Sequence, residues 1–112
     1  MTMARPPRTL IAAFLVSTSL VPAAAEQAAL VLGKKVFLEI AKPSCGRCHT
    51  LADAGATGTL GQNLDNLKPT ADQIRIAVTK GIGPMPPNTL LTKEQIDAVA
   101  TYVAAVAGRT SR

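Results

Sequence analysis

One short motif constrains this chain more than any other feature: residues 45–49 read C-x-x-C-H. Two thiols three positions apart can each add across a vinyl group of haem, and the histidine that follows can then bind the iron. Cys45 and Cys48 are the only cysteines of the chain, and His49 is its only histidine. The motif therefore predicts one covalently attached haem c, with Cys45 and Cys48 as thioether residues and His49 as an axial ligand of the iron.

The composition agrees with a small domain built around such a group. The 112 residues have room for one domain, and they are 47% hydrophobic but only 3% aromatic, with no Trp. Few large side chains are therefore available for a core, and a buried porphyrin would supply the missing apolar bulk.

The formal net charge of +5 gives little indication of a polyanionic partner. Arg5 and Arg8 lie in a leader that we expect to be removed, which leaves ten Lys and Arg against seven Asp and Glu. Two haem propionates would bring the remaining charge to about +1. No run of Lys and Arg with interleaved aromatic residues remains, which argues against a nucleic-acid-binding protein.

The first 25 residues have the pattern of a secretory signal peptide. Residues 1–8 are positively charged, residues 9–21 are mainly apolar, and small residues then precede a predicted cleavage site after Ala25. The alternative is an uncleaved anchor, but an apolar run of 13 residues is shorter than the about 20 that span a bilayer. We therefore expect residues 26–112 to form the mature domain and to be exported to the periplasm, outside the cytoplasm, where haem c is attached.

The mature chain is predicted to be all-α, with three main helices. Apolar residues at helical spacing predict the first helix over residues 27–41, ended by Pro43. The sequences after Thr70 and Thr92 fit capping boxes and predict the starts of the other two helices. Their ends are predicted near the glycines at 81 and 108.

Two irregular segments connect these helices, and no stretch alternates convincingly as a strand. Residues 51–66 are rich in Gly, Asn and Asp, and they either wrap the haem or form a flexible connection. Residues 81–91 contain three prolines. The predicted fold is thus three main helices wrapped around one covalently attached haem.

The proline-rich segment contains Met85, the only methionine outside the leader. A thioether is a soft, neutral ligand that stabilises reduced iron, and prolines on both sides would hold its loop stiff. By itself, such a methionine is more often an apolar residue of the core. Because the haem motif leaves a sixth position to be filled, we predict that Met85 is the second axial ligand.

Four segments of the chain resemble class I mono-haem cytochromes c, the small electron-transfer cytochromes of the bacterial periplasm. One is the haem motif itself, and the others are the N-terminal helix pattern in 33–37, the Gly-Gln-Asn-Leu of 61–64 and the Met-Pro-Pro-Asn of 85–88. The resemblance covers residues 28–107 and implies the class I cytochrome c fold.

The resemblance also implies roles for residues around the haem. Gly33 and Phe37 would pack against Tyr102 where the first and last helices cross. Leu64 would pack on the proximal face of the haem, and Asn88 would donate a hydrogen bond toward the methionine sulfur.

One position departs from the family pattern. Gln62 stands where the family usually has a proline whose backbone carbonyl accepts the proton on the far nitrogen of the haem histidine. Glutamine keeps the carbonyl but restrains the backbone less, so the orientation of His49 is the property put in question.

The resemblance implies an electron carrier and not an enzyme, because both axial positions would be filled by protein. The redox partners implied are a periplasmic dehydrogenase as donor, for example a sulfite dehydrogenase, and a terminal oxidase as acceptor. Lys42 and Arg47 would help to steer an acidic partner, although single surface cations are more often only solvated. No stable membrane insertion is expected.

Three other classes of protein use some of the same residues. A thiol-disulfide oxidoreductase has a C-x-x-C motif, but normally within a βαβ framework. A zinc or copper carrier would use Cys45, Cys48, His49 and Met85 as its ligands. A haem-based sensor or small haem enzyme would result if the methionine ligand were labile.

Overall fold

The computed structural model describes residues 2–17 and 23–109. Residues 2–17 are exposed and have no regular secondary structure. The end of the predicted apolar run, residues 18–21, lies outside the described residues. Within the described part of the chain, no helix has both the length and the apolar composition needed to span a bilayer.

The domain is mainly helical. Helix α1 (Ala23–Lys35) continues into one π-helical stretch (Val36–Ile40), and the other two long helices are α4 (Ala71–Lys80) and α5 (Lys93–Val106). The short elements between them are α2 (Cys45–Cys48), strand β1 (Thr50–Leu51), a 3-10 turn (Ala52–Ala54), strand β2 (Ala56–Thr57) and α3 (Leu64–Leu67). Strands β1 and β2 pair antiparallel.

The predicted starts of α4 and α5 are confirmed by their capping boxes. The Thr70 hydroxyl accepts a hydrogen bond from the Gln73 amide at 3.2 Å, and the Gln73 side chain accepts one from the Thr70 amide at 2.9 Å. Thr92 and Gln95 repeat both bonds at the same distances. These bonds give partners to backbone N–H groups that the first turn leaves free. Gly81 follows α4 directly with φ 74°, as predicted for its end.

The segment over residues 51–66 is more ordered than the sequence predicts. It contains the hairpin of β1 and β2 and the single turn of α3. Each strand has only two residues, so neither is long enough to give an alternating pattern. The Thr50 hydroxyl also donates to the Gly58 carbonyl at 2.8 Å, which closes the hairpin beyond its last strand residue.

The core is centred on the crossing of α1 and α5. Phe37 and Tyr102 are buried and pack edge to face, with ring centroids 6.4 Å apart. This confirms the predicted contact between the first and last helices. Burial raises the pKa of Tyr102, whose hydroxyl donates to Asp53 Oδ2 at 2.5 Å. That bond ties α5 to the 3-10 turn that follows the haem motif.

Gly33 makes the helix crossing possible. A Cβ at this position would lie 2.2 Å from the Ala98 carbonyl oxygen and 2.4 Å from Tyr102 Cβ. Both distances are far below van der Waals contact, and one of the two atoms belongs to the backbone, so α5 could accommodate a side chain only by moving away from α1.

The variant Gly33→Ala is therefore expected to destabilise the haem-loaded protein by about 2 kcal/mol or more, because overpacking outweighs the better helix propensity of alanine. Denaturant unfolding measures the effect. Val31→Ala is the control, since Val31 is on the same helix and 61% exposed. An unfolding free energy of Gly33→Ala equal to that of the control would contradict the close approach.

Candidate haem-binding site

The predicted haem residues meet in one large cavity. It has a volume of about 780 Å³, and its walls come from the haem motif, residues 60–63, α4, α5 and the proline-rich segment. Cys45, Cys48, His49 and Met85 all line it. The volume lies in the upper part of the about 300–1,000 Å³ range of pockets for organic ligands and cofactors.

Helix α2 presents the two thiols. It is a single turn, and residues three positions apart on a helix are neighbours on one face. His49 follows with extended backbone, and its amide donates to the Cys45 carbonyl at 3.0 Å. His49 therefore lies directly after the end of α2, and its imidazole does not continue the helix face that carries the two thiols.

The environment of Cys45 does not favour the reactive thiolate of a redox-active pair. Burial raises the pKa of the Cys45 thiol to about 11. Thiol-disulfide oxidoreductases depend on the opposite change, a lowered pKa that gives a reactive thiolate. The framework around the motif is helical and has no βαβ unit among the described residues.

A hydrogen bond fixes the orientation of the His49 ring. Its Nδ1 lies 2.7 Å from the backbone carbonyl oxygen of Gln62. Because a carbonyl only accepts, Nδ1 is the donor of this bond, and Nε2 is the ring nitrogen left to bind a metal ion. The absence of proline at position 62 therefore does not prevent this hydrogen bond, because Gln62 accepts it through its backbone carbonyl.

Gly61 packs directly against the same ring. A Cβ there would lie 2.5 Å from His49 Cε1 and 2.9 Å from Nδ1. Its amide donates to the Cys48 carbonyl at 2.7 Å, which holds this segment against α2. The histidine is thus oriented by a hydrogen bond to one residue and by packing against its neighbour.

Met85 lies on a tight turn that is closed by two backbone hydrogen bonds. The Ile82 amide donates to the Met85 carbonyl at 3.0 Å, and the Met85 amide donates to the Ile82 carbonyl at 2.9 Å. Gly83, at the first central position, has φ 53°, and Pro84 restricts the second. A further bond from the Asn88 amide to the Val78 carbonyl, 2.8 Å long, attaches the segment to α4.

Two implied roles stay predictions. The Asn88 side chain accepts a hydrogen bond from the Leu90 amide at 3.2 Å, and among the described residues no side-chain hydrogen bond to the Met85 sulfur is formed. Leu64 is partly buried against the hydrophobic core. Leu60, four residues earlier, lines the cavity.

The apolar walls of the cavity come from residues that the sequence does not mark as part of a binding site. Val78 of α4 and Val99 of α5 line it, together with Leu91. The first two are apolar residues within the helices predicted to start at Thr70 and Thr92. Spacing identifies an inward face, but it does not distinguish core positions from cavity positions, because both are apolar.

The cavity and its donor set fit a covalently attached haem. Two thiols, one oriented imidazole and one thioether line a partly open cavity with mainly apolar walls. Among the described residues, no three His, Cys, Asp or Glu side chains are grouped as ligands of a single metal ion, as a zinc or copper carrier would need.

Two comparisons with known proteins give matches. Residues 28–103 match the family model described as cytochrome C oxidase, cbb3-type, subunit III. Among solved structures, the chain is similar to the c-type cytochrome SorU from Sinorhizobium meliloti, with 55% sequence identity and a TM-score of 0.75. The match covers 77% of this chain and 99% of that one. No curated protein matches the chain.

Proposed function

We propose a function from one premise: this chain belongs to the cytochrome c family, in the group described as cytochrome C oxidase, cbb3-type, subunit III. It therefore carries a covalently bound haem c with its iron. When bound, this group supplies a one-electron couple between ferric and ferrous iron. We infer that the chain is a carrier of single electrons and not an enzyme.

In this proposal, Cys45 and Cys48 form the thioether bonds, and His49 and Met85 are the two axial ligands. The observation that carries the proposal is that one cavity is lined by all four side chains. A protein ligand at both axial positions leaves no open position for dioxygen, peroxide or a substrate. Electron transfer is the function that remains for such a site.

The contacts around His49 and Met85 favour a site whose geometry changes little when the iron is oxidised or reduced. The Gln62 carbonyl keeps the proton on Nδ1 of His49. On the other ligand, the paired backbone bonds of the turn and the adjacent prolines hold Met85, which suits a thioether because it is a weak ligand. A stiff ligand set lowers the reorganisation that must accompany each electron transfer.

The partners that we propose are redox proteins of the periplasm. The donor is a periplasmic dehydrogenase, with sulfite dehydrogenase as a specific candidate, and the acceptor is a terminal oxidase. The description of the family names a subunit of a cytochrome c oxidase, which supports the class of the acceptor. We also propose that residues 1–25 are a cleaved export signal, and the family match begins just beyond them, at residue 28.

Carbon monoxide distinguishes the proposed carrier from a haem sensor or enzyme. The ferrous protein is expected to bind no carbon monoxide at neutral pH, because Met85 occupies the position where the gas would bind. The measurement is the difference spectrum of the reduced protein with and without the gas. Met85→Ala is the positive control and is expected to bind it. A rapidly formed adduct in the unaltered protein would contradict the carrier proposal and favour an open-site sensor.

A further inference from the structure

The Gln62 carbonyl accepts the hydrogen bond from His49, and other contacts must hold this carbonyl in place. Gln62 is exposed, and no proline ring restrains its backbone. On one side, the Gly61 amide bonds to the Cys48 carbonyl at 2.7 Å. On the other side, the chain enters α3, a helix of four residues. Such a helix is too short to be stable by itself, so its position must depend on tertiary contacts.

The carboxylate of Asp65, in the first turn of α3, makes two of these contacts. Its Oδ2 accepts a hydrogen bond from the Ala52 amide at 2.9 Å, and its Oδ1 accepts one from the Gly108 amide at 2.8 Å. Ala52 begins the turn that comes three residues after His49, and Gly108 lies just beyond the end of α5. We call these two bonds the Asp65 clasp.

The local chemistry suits the clasp. An ionised carboxylate has two acceptor oxygens, and hydrogen bonds to a charged acceptor are stronger than those between neutral groups. Gly108 has φ 80°, and a Cβ there would lie 2.5 Å from Lys68 Cε and 3.2 Å from the Asp65 carbonyl oxygen. The Lys68 side chain could move away from such a Cβ, but the positive φ of this residue favours glycine at this position.

We propose that Asp65 is a positioning residue for the axial histidine. The inference depends on the proposed function, in which His49 is a ligand of the haem iron. The Asp65 clasp fixes α3 between the turn after His49 and the end of α5, and Gln62, three residues before Asp65, is fixed with it. Its carbonyl then stays 2.7 Å from Nδ1 of His49.

The consequence for the site is a change in the electron-donating strength of the histidine. A hydrogen bond from Nδ1 makes the imidazole a more basic ligand. A more basic ligand stabilises ferric iron relative to ferrous iron, which lowers the reduction potential. Loss of the clasp should therefore raise the potential.

The test is Asp65→Asn in the full-length, haem-loaded protein. The amide keeps the size of the side chain but offers one acceptor oxygen, so one of the two backbone N–H groups loses its partner. The reduction potential is expected to rise, as measured by potentiometric titration. Solvent exchange of the His49 Nδ1 proton, followed by NMR in the ferrous protein, is expected to become about tenfold faster or more, because the segment opens more often.

Two further variants separate positioning from charge. Asp72→Asn removes the same charge from an exposed carboxylate that pairs with Arg75 at 2.8 Å, and it should leave the exchange rate unchanged. Ala52→Pro removes one donor of the clasp without changing any charge. Proline is accepted at the first position of a helical turn, so this variant should shift both measurements in the same direction as Asp65→Asn.

Equal potentials and equal exchange rates in Asp65→Asn and Asp72→Asn would overturn the proposal, since charge alone would then explain them. If Asp65→Asn does not retain haem, the test uses Ala52→Pro. An unaltered reduction potential and an unaltered exchange rate in Ala52→Pro would also overturn the proposal. Failure of the proposed function has a different signature. If Met85 is not a ligand, the unaltered ferric protein would lack the far-red charge-transfer band of methionine ligation. If only the Asp65 proposal is wrong, that band would still be present.

Discussion

A chain with serine at both positions 45 and 48 is expected to contain no covalently bound haem. Serine has nearly the size of cysteine, but thioether formation needs the nucleophilic sulfur of Cys45 and Cys48. Extraction with acidified organic solvent measures the result, because haem held only by coordination leaves the protein and thioether-linked haem does not. The whole haem content should move from the protein to the extract.

Variants within the same motif make this test specific. Arg47→Ala alters the same turn but keeps both thiols, and it should retain covalent haem at the level of the unaltered protein. Each single variant, Cys45→Ser or Cys48→Ser, should retain one thioether bond, and the band of its pyridine haemochrome should move to longer wavelength because one vinyl group is unreacted. Covalent haem in the double variant would refute the assignment of the two cysteines.

The parts of the fold that local chemistry specifies could be predicted from the sequence. Thr70 and Thr92 start their helices through capping boxes that involve residues only three positions away, so a short window contains the whole signal. The resemblance predicts that Gly33 and Phe37 pack against Tyr102, and composition supports this contact because only two aromatic residues lie beyond residue 25.

The parts that depend on distant contacts could not be predicted. Helix α3 and the hairpin of β1 and β2 are too short to produce a periodic pattern. Asp65 accepts hydrogen bonds from residues 13 and 43 positions away, and no local rule connects an aspartate to those amides. The π-helical stretch after α1 was not predicted either, because apolar spacing does not distinguish it from an α-helix. Ala41 bonds back to the Val36 carbonyl at 3.0 Å, and Val36 and Phe37 are both buried.

Gln62 illustrates the limit of an argument from residue type. The missing proline suggested that the histidine was oriented less firmly, because a proline ring restricts the backbone. The hydrogen bond at issue uses a backbone carbonyl, which every residue has, and the distance from His49 Nδ1 is 2.7 Å. A proline ring would restrain the backbone at position 62 directly. With glutamine there, other contacts of the segment can supply that restraint.

Removal of the methionine thioether should have the second large effect. In Met85→Ala, the far-red charge-transfer band of the ferric protein is expected to disappear, because that band depends on a sulfur ligand to ferric iron. The reduction potential should fall by on the order of 0.1 V or more, within the about 0.8 V range that axial ligands cover, since a thioether favours ferrous iron. Absorption spectroscopy and potentiometric titration of the purified haem-loaded protein measure both quantities.

Two variants distinguish ligation from packing at this position. Met85→Leu keeps the apolar bulk and removes only the sulfur, so it should lose the band as completely as Met85→Ala does. Ile82→Ala truncates a side chain in the same turn that is 67% exposed, and it should keep the band because the ligand remains. A band that persisted in Met85→Leu would show that the sixth ligand is another residue. Loss of the band in both Met85→Leu and Ile82→Ala would attribute it to the shape of the turn, and the carrier proposal would then need a different ligand set.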